Sequence, residues 1–181
     1  MVGVDMIGGS AASSGGELMA APECIRAWVE ADRRMDLARM QDQLDPAVVL
    51  ISPLTHGFDF RGREEVMAVF VSAFELLTDV EIFRVTGAGS DWVLDGKNRL
   101  GGRNLEEIQW LRVGESGLIE EITLFIRPVP AAVSLLAKIG VPLHRRGTMN
   151  RLGAVASAMA APLAAVLHLT EKHLMPRLKG R

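Results

Sequence analysis

Two small groups of polar residues have the types and spacing that acid–base chemistry requires. Glu107 and Gln109 stand two residues apart in a predicted strand, so their side chains project from the same face. If that face lines a pocket, burial raises the pKa of Glu107 toward that of a general base; otherwise Glu107 is an edge carboxylate paired with an Arg or Lys. His56 and Asp59 share a predicted loop. They are either an acid–base pair or residues of an ordinary surface turn. Glu107, His56 and Asp59 are therefore the candidate catalytic residues.

The other reactive residue types are placed less favourably for chemistry. His144, His168 and His173 are spread along the chain, and a spacing of five does not put two ligands on one helix face. The segment GGSAASSGG lacks the preceding strand and the lysine of a phosphate-binding loop. We therefore expect neither a metal nor another cofactor. The single cysteine, Cys24, is predicted to be a small core residue.

Composition favours a globular protein with a sizeable core. The chain has 181 residues, of which 49% are hydrophobic, and its formal net charge is −2. That charge gives no support for nucleic acid as the main partner, because a phosphate-binding surface normally carries an excess of basic residues. One cysteine excludes an intrachain disulfide, and no basic segment opens the N-terminus. The expected location is the cytoplasm.

The order of predicted elements indicates an α+β fold. An apolar stripe of Ile25, Trp28 and Val29 predicts a first helix after Pro22, and Asp36 can cap a second. The most regular periodicity predicts a helix over 63–77, and antiparallel strands follow it. A short helix, ended by a glycine, closes the series. The predicted strands cover 48–52, 79–86, 91–100, 104–113 and 118–127, and the last helix covers 131–139 with Gly140 as its stop.

Segments of unusual composition flank the main domain, which we place at 17–140. Residues 1–16 are rich in Gly and Ser and are predicted to form a flexible tail. Residues 141–181 are predicted to be a helical appendage, with an almost uncharged stretch from Leu152 to Leu169 that Pro162 interrupts. This appendage either packs over the domain or a second subunit, or makes a weak membrane-surface contact through 145–175.

The motif FRGREEV at the start of the long helix and the closing stretch ESGLIEEITLFIRP resemble the SnoaL-like branch of the nuclear-transport-factor-2-like superfamily. The resemblance covers about residues 22–140. It implies a cystatin-like α+β barrel, in which a curved antiparallel sheet wraps round the N-terminal helices to form a conical pocket. The superfamily includes ketosteroid isomerases, polyketide cyclases and transport factors, so the fold does not transfer a function.

The resemblance also implies where catalytic residues of ketosteroid isomerases would fall. Ser52 occupies the position of the general-base Asp, before the proline that follows the first strand. Gln109 occupies the position of the second Asp, and Trp28 that of the Tyr. Serine is a poor base without a His or Lys partner, so this isomerase reaction is expected to be absent or very weak. Trp28, Ser52 and Gln109 still offer hydrogen-bond donors, and are the candidate ligand-binding residues.

Two classes of function follow. In the first, the protein binds an apolar small molecule (polycyclic, polyketide-like or isoprenoid) in the pocket, and works either as a binder or as an isomerase, cyclase or hydrolase without the ketosteroid isomerase carboxylates. In the second, it is a non-catalytic interaction or dimerisation module that uses the outer sheet face and the C-terminal helix. A homodimer is expected in either case. The sequence leaves open whether the protein is an enzyme.

Overall fold

Helices and one six-stranded sheet make up the computed structural model, which describes residues 18–178. The tail predicted at 1–16 lies outside the described residues. The main helices are α1 (Glu23–Arg34), α2 (Leu37–Asp42), α3 (Gly62–Phe74), α4 (Val129–Arg145), α5 (Arg151–Ala158), α6 (Ala161–His173) and α7 (Met175–Leu178). The strands are β1 (Leu44–Ile51), β2 (Phe60–Arg61), β3 (Leu77–Ala88), β4 (Asp91–Leu100), β5 (Arg103–Val113) and β6 (Ile119–Arg127).

The sheet has the strand order β2-β1-β6-β5-β4-β3 and is curved but not closed. Strands β3 to β6 form consecutive antiparallel hairpins, whereas β1 joins β6 in parallel. The turns that join β4 to β5 and β5 to β6 contain Gly101, Gly102 and Gly117, whose positive φ angles favour glycine. This arrangement confirms the predicted α+β cone with a helical C-terminal segment.

Helices α1 and α3 supply the apolar residues that pack together with those of the sheet. The predicted stripe on α1 is confirmed, since Ile25, Trp28 and Val29 are all buried. The indole of Trp28 meets the ring of Phe70 on α3 edge to face, with ring centroids 5.1 Å apart. Asp36 caps α2 as expected, by accepting a hydrogen bond from the Arg39 amide at 3.1 Å. The core therefore fixes α1 and α3 relative to the strands.

The last predicted helix differs from the observed one. The sequence predicts a helix over 131–139 that stops at Gly140, but α4 continues through Gly140 to Arg145. The glycine allows close packing instead: a Cβ atom there would lie 2.6 Å from Ser157 Cβ and 3.1 Å from Ala154 Cα. Gly140 thus lets α5 approach α4 closely, and α4 runs past the point where the sequence placed the end of the main domain.

Changing Gly140 to alanine is expected to destabilise the protein by about 1 to 3 kcal/mol, because the added methyl group overlaps α5. Intrinsic helix propensity alone predicts the opposite sign, a gain of up to about 1 kcal/mol. Urea denaturation of the two proteins measures the difference. A stabilised Gly140→Ala variant would show that the contact between α4 and α5 is absent in solution.

Candidate functional site

An apolar cavity of about 80 Å³ lies between the sheet, α3, the loop after β1 and α4. Leu50 and Leu124 contribute from the sheet, and Phe70 contributes from α3. The fourth wall is formed by α4, whose Leu135 and Ile139 lie one turn apart on the helix. The site is therefore built by the cone together with α4, the helix that follows the last strand.

Three polar side chains line this cavity within residues 18–178: Ser52, Thr55 and Glu107. The Ser52 hydroxyl oxygen accepts a hydrogen bond from the Leu54 amide at 3.1 Å, and that of Thr55 accepts one from the Gly57 amide at 2.9 Å. Both contacts leave the hydroxyl protons available for a ligand. Glu107 is the one ionisable group in this wall among the described residues.

Behind Glu107, the amide of Gln109 links three side chains. Its Nε2 donates to Glu107 Oε1 at 3.0 Å and to Asp32 Oδ2 at 2.8 Å. Its Oε1 accepts a hydrogen bond from Trp28 Nε1 at 2.8 Å. Trp28 and Gln109 are almost completely buried, so each of these polar atoms depends on the others for a partner. We call these four residues the Gln109 cluster.

Burial makes ionisation of Asp32, one of the two acidic residues of the Gln109 cluster, unfavourable. Desolvation, together with the nearby charge of Glu107, raises the pKa of Asp32 from 3.8 to about 7, although the bond from Gln109 acts in the opposite direction. Asp32 Oδ1 is buried and has no hydrogen-bond partner among the described residues, which makes a charge there more costly. Two carboxyl groups that share one amide donor resist ionising together. Near neutral pH this pair can therefore hold or release a proton.

Glu107 itself is also shifted toward the protonated form. Burial raises the pKa of its carboxyl group, and interactions with the Gln109 and Asn98 side chains partly oppose that change. Although Asn98 lies close enough to affect Glu107, its side-chain nitrogen and oxygen lack a hydrogen-bond partner within the described chain. Gly96 makes room for the carboxylate, since a Cβ atom there would lie 3.0 Å from Glu107 Cγ.

The predicted ligand-binding residues separate into two positions. Ser52 lines the cavity. Trp28 and Gln109 do not line it, because their polar atoms are used within the Gln109 cluster. The structure thus brings Trp28 and Gln109 together, but as a support behind Glu107 rather than as a surface for the ligand.

The predicted catalytic residues also separate. Glu107 lies in the cavity wall, whereas His56 and Asp59 are exposed and do not line the cavity. Asp59 accepts a hydrogen bond from Arg61 Nη2 at 2.9 Å, which is the bond of an ordinary surface ion pair. From the same loop, Thr55 and Phe58 reach the cavity instead. His56 and Asp59 are therefore not brought together with Glu107.

Asp32 is a functional candidate that the sequence did not single out. It follows Trp28 by four residues on α1, so the two side chains lie on the same helix face. An acidic residue aligned with a buried indole on an apolar stripe was the available signal. No group of three or more His, Cys, Asp or Glu residues within 18–178 is arranged to hold a metal ion.

Solved structures share this fold. The chain is similar to a protein of cystatin-like fold from Silicibacter pomeroyi, with a TM-score of 0.64 and 19% identity over 76% of this chain and 94% of that one. It is also similar to a steroid delta-isomerase from Pseudomonas aeruginosa, with a TM-score of 0.63 and 24% identity over 71% and 93%. An NTF2-like protein from Burkholderia xenovorans matches with a TM-score of 0.51 and 18% identity over 62% and 84%.

These matches establish the nuclear-transport-factor-2-like cone fold that the sequence resemblance predicted. At such identities they show the fold alone. No protein-family model matches the chain, and no curated protein matches its sequence. The chemistry of the site must therefore be argued from its own residues.

Proposed function

We propose that the protein binds a small, mainly apolar molecule in the cone cavity and that Glu107 transfers a proton to or from it. The observation that supports this proposal most is that Glu107, whose pKa is raised, is the one ionisable group among the described residues that line a mainly apolar cavity. A carboxylate in such a place is a stronger base than an exposed one. Proton transfer of this kind serves isomerase and cyclase reactions, and it can activate a water molecule for hydrolysis.

The other residues of the site have distinct roles in this proposal. The hydroxyl groups of Ser52 and Thr55 donate to an oxygen atom of the ligand, since their own oxygens already accept backbone hydrogen bonds. Gln109 orients Glu107 from behind, and Asp32 adjusts its charge. Trp28 fixes the orientation of the Gln109 amide, because its indole can only donate.

The size of the cavity restricts which ligands fit without movement. Cavities that bind drug-sized ligands usually measure about 300 to 1,000 Å³, well above the volume here. A ligand of a few carbon atoms fits the cavity as it stands. A steroid, the class of molecule that the likeness to a steroid delta-isomerase brings forward, requires the wall formed by Leu135, Ile139 and Leu143 to move outward. We propose that α4 moves in this way for larger ligands.

The test combines a thermal-shift screen of small ketones, terpenoids, sterols and epoxides with mass analysis of the products. A ligand of the folded state raises the melting temperature. For a compound that is converted, Glu107→Gln is expected to lower kcat by about 10²- to 10⁴-fold, because glutamine keeps the shape of the side chain but cannot accept the proton.

Glu106→Gln is the matched control. Glu106 is the preceding residue on β5 and bonds Arg127 outside the cavity, at 2.5 Å, so its change should leave conversion near that of the unaltered protein. Conversion that survives Glu107→Gln would reject Glu107 as the acid–base residue. A thermal shift without conversion would restrict the function to binding, and no shift with any compound would count against a ligand site.

A second candidate function is favoured by the outer face of the sheet. Ile108, Trp110 and Phe125 are 39%, 46% and 50% exposed there, which is unusual for large apolar side chains on one face. In this alternative the face binds a second copy, as a non-catalytic dimerisation module. A dimer in light scattering that dissociates in the Ile108→Glu, Phe125→Glu double variant, with no ligand found, would favour it. We propose the cytoplasm as the location for either function, and the single free thiol of Cys24 fits a reducing compartment.

A further inference from the structure

Large apolar side chains along α5 and α6 face outward instead of into the core. They recur every three or four residues, so they fall on one side of the two consecutive helices. Each is at least half exposed, and Leu152 reaches 77%. We call this set the apolar stripe: Leu152, Val155, Met159, Leu163, Val166 and Leu169.

The opposite side of the same helices is held against α4 by small residues. Ala154, Ser157 and Ala164 are buried there, and Ser157 donates a hydrogen bond to the Leu136 carbonyl oxygen. The Ser134 hydroxyl and His168 Nε2 are 2.8 Å apart. This is the reverse of an ordinary surface helix, which buries its large apolar residues. The small residues hold α5 and α6 on α4, so the apolar stripe is left exposed on the opposite side.

The C-terminal part of the sequence is basic, whereas the rest of the chain is acidic. Residues 145–181 contain seven Lys or Arg and one Glu, a formal charge of +6, whereas 1–144 contain 13 Lys or Arg and 21 Asp or Glu, a formal charge of −8. No acidic residue occurs from 122 to 170. Arg151, Lys172 and Arg177 are exposed at the two ends of the apolar stripe, without an ion pair to another described residue.

We propose that α5 and α6 bind an anionic lipid surface, with the apolar stripe in the headgroup–acyl boundary and the basic residues at the lipid phosphates. An in-plane helix with one apolar side and flanking basic residues binds membranes by both contributions. The 23-residue stretch Arg151–His173 is also long and apolar enough to cross a membrane, because an 18-residue window within it has a mean hydropathy of 1.8. Lying in the plane is favoured because the inner side stays on α4; crossing would strip the Ser157 and His168 contacts.

This proposal does not depend on the cavity or on Glu107. The apolar stripe could alternatively cover a second copy of the chain, whose acidic body would attract the basic end. The two occupants differ in what they require. A lipid surface requires anionic headgroups and no second protein molecule, whereas a self-interface forms in the absence of lipid and depends on protein concentration.

Co-sedimentation of the full chain with vesicles distinguishes them. We expect binding to vesicles of phosphatidylcholine and phosphatidylglycerol in equal parts, much weaker binding to phosphatidylcholine alone, and release of the bound protein by high salt. The Leu163→Glu, Val166→Glu double variant should lose at least about tenfold in affinity for the mixed vesicles, because two charges then face the acyl region. Both positions are exposed, so the melting temperature should stay unchanged.

The matched control places the same two charges on the outer sheet face. Ile108→Glu with Phe125→Glu should keep its vesicle binding, whatever it does to the oligomeric state. The proposal is overturned if the unaltered chain does not bind the mixed vesicles, or if the α6 double variant binds them equally well. It is also overturned if that variant only dissociates a lipid-free dimer. Protein that high salt fails to release would show insertion across the bilayer instead of an in-plane contact.

Discussion

Replacing Gln109 by leucine is expected to lower the free energy of unfolding by about 3 kcal/mol. The two side chains are similar in size, so the core loses little packing. The variant leaves the Trp28 indole N–H buried without an acceptor, and it removes the amide that Asp32 and Glu107 share. The cost of leaving buried polar atoms unpaired exceeds the gain from burying a more apolar residue. Urea denaturation at neutral pH measures the loss.

Gln41→Leu provides the same chemical change at an exposed site on α2, and should alter the free energy of unfolding by less than about 0.5 kcal/mol. If Gln109→Leu costs no more than this control, the hydrogen bonds of the Gln109 cluster do not hold in solution. The identification of Gln109 as the residue that positions Glu107 would then fail too.

Asp32 is expected to make the protein less stable as the pH rises. Its carboxyl group has a pKa of about 7 in the folded chain and near 3.8 when unperturbed, so the folded state keeps the proton over a range where the unfolded state has lost it. Stability from this group is complete below about pH 4 and is lost progressively up to about pH 7. The full effect of such a shift is about 4 kcal/mol. Glu107, whose pKa is also raised, acts in the same direction.

The Asp32→Asn variant should remove most of this dependence, because asparagine can accept the bond from Gln109 without ionising. Its free energy of unfolding should therefore fall less than that of the unaltered chain between about pH 4 and pH 7, and exceed it at the upper end. Urea denaturation at steps across this range tests the difference. Asp42→Asn, at an exposed acid of α2, should give a curve parallel to that of the unaltered chain. A parallel curve for Asp32→Asn would show that the pKa of Asp32 is not raised in the folded chain.

Most of the fold could be predicted because each element carries its own periodicity. The helical spacing of Ile25, Trp28 and Val29 on α1 and the alternation along strands β3 to β6 are local patterns, which the sequence displays directly. The end of α4 is not a local property. A glycine near the end of a helical pattern usually indicates that the helix stops. Gly140 is instead inside α4, where a side chain would collide with Ser157, a residue 17 positions further on. Only the tertiary contact shows whether a glycine ends a helix or lets a second helix pack closely against it.

The candidate site was predictable in part. Strand parity correctly placed Glu107 and Gln109 on one face of β5, where they bond each other. The family positions led to Trp28 and Gln109, yet those positions do not show that the two residues satisfy one another instead of a ligand. Asp32 could not be selected by type, because most aspartates on helices are exposed. Its burial depends on packing against Gln109, 77 residues away in the chain.

Helix α4 belongs to two contacts at once, and this has a thermodynamic consequence. One side of it closes the cavity with Leu135 and Ile139, and Gly140 receives α5 on another. A displacement of α4 that enlarges the cavity therefore changes the support under the lipid-facing helices. Linkage is reciprocal: if attachment of α5 and α6 to a surface changes ligand affinity by some factor, the ligand changes surface affinity by the same factor. The ligand and the lipid surface would then act as effectors of one another through a single helix.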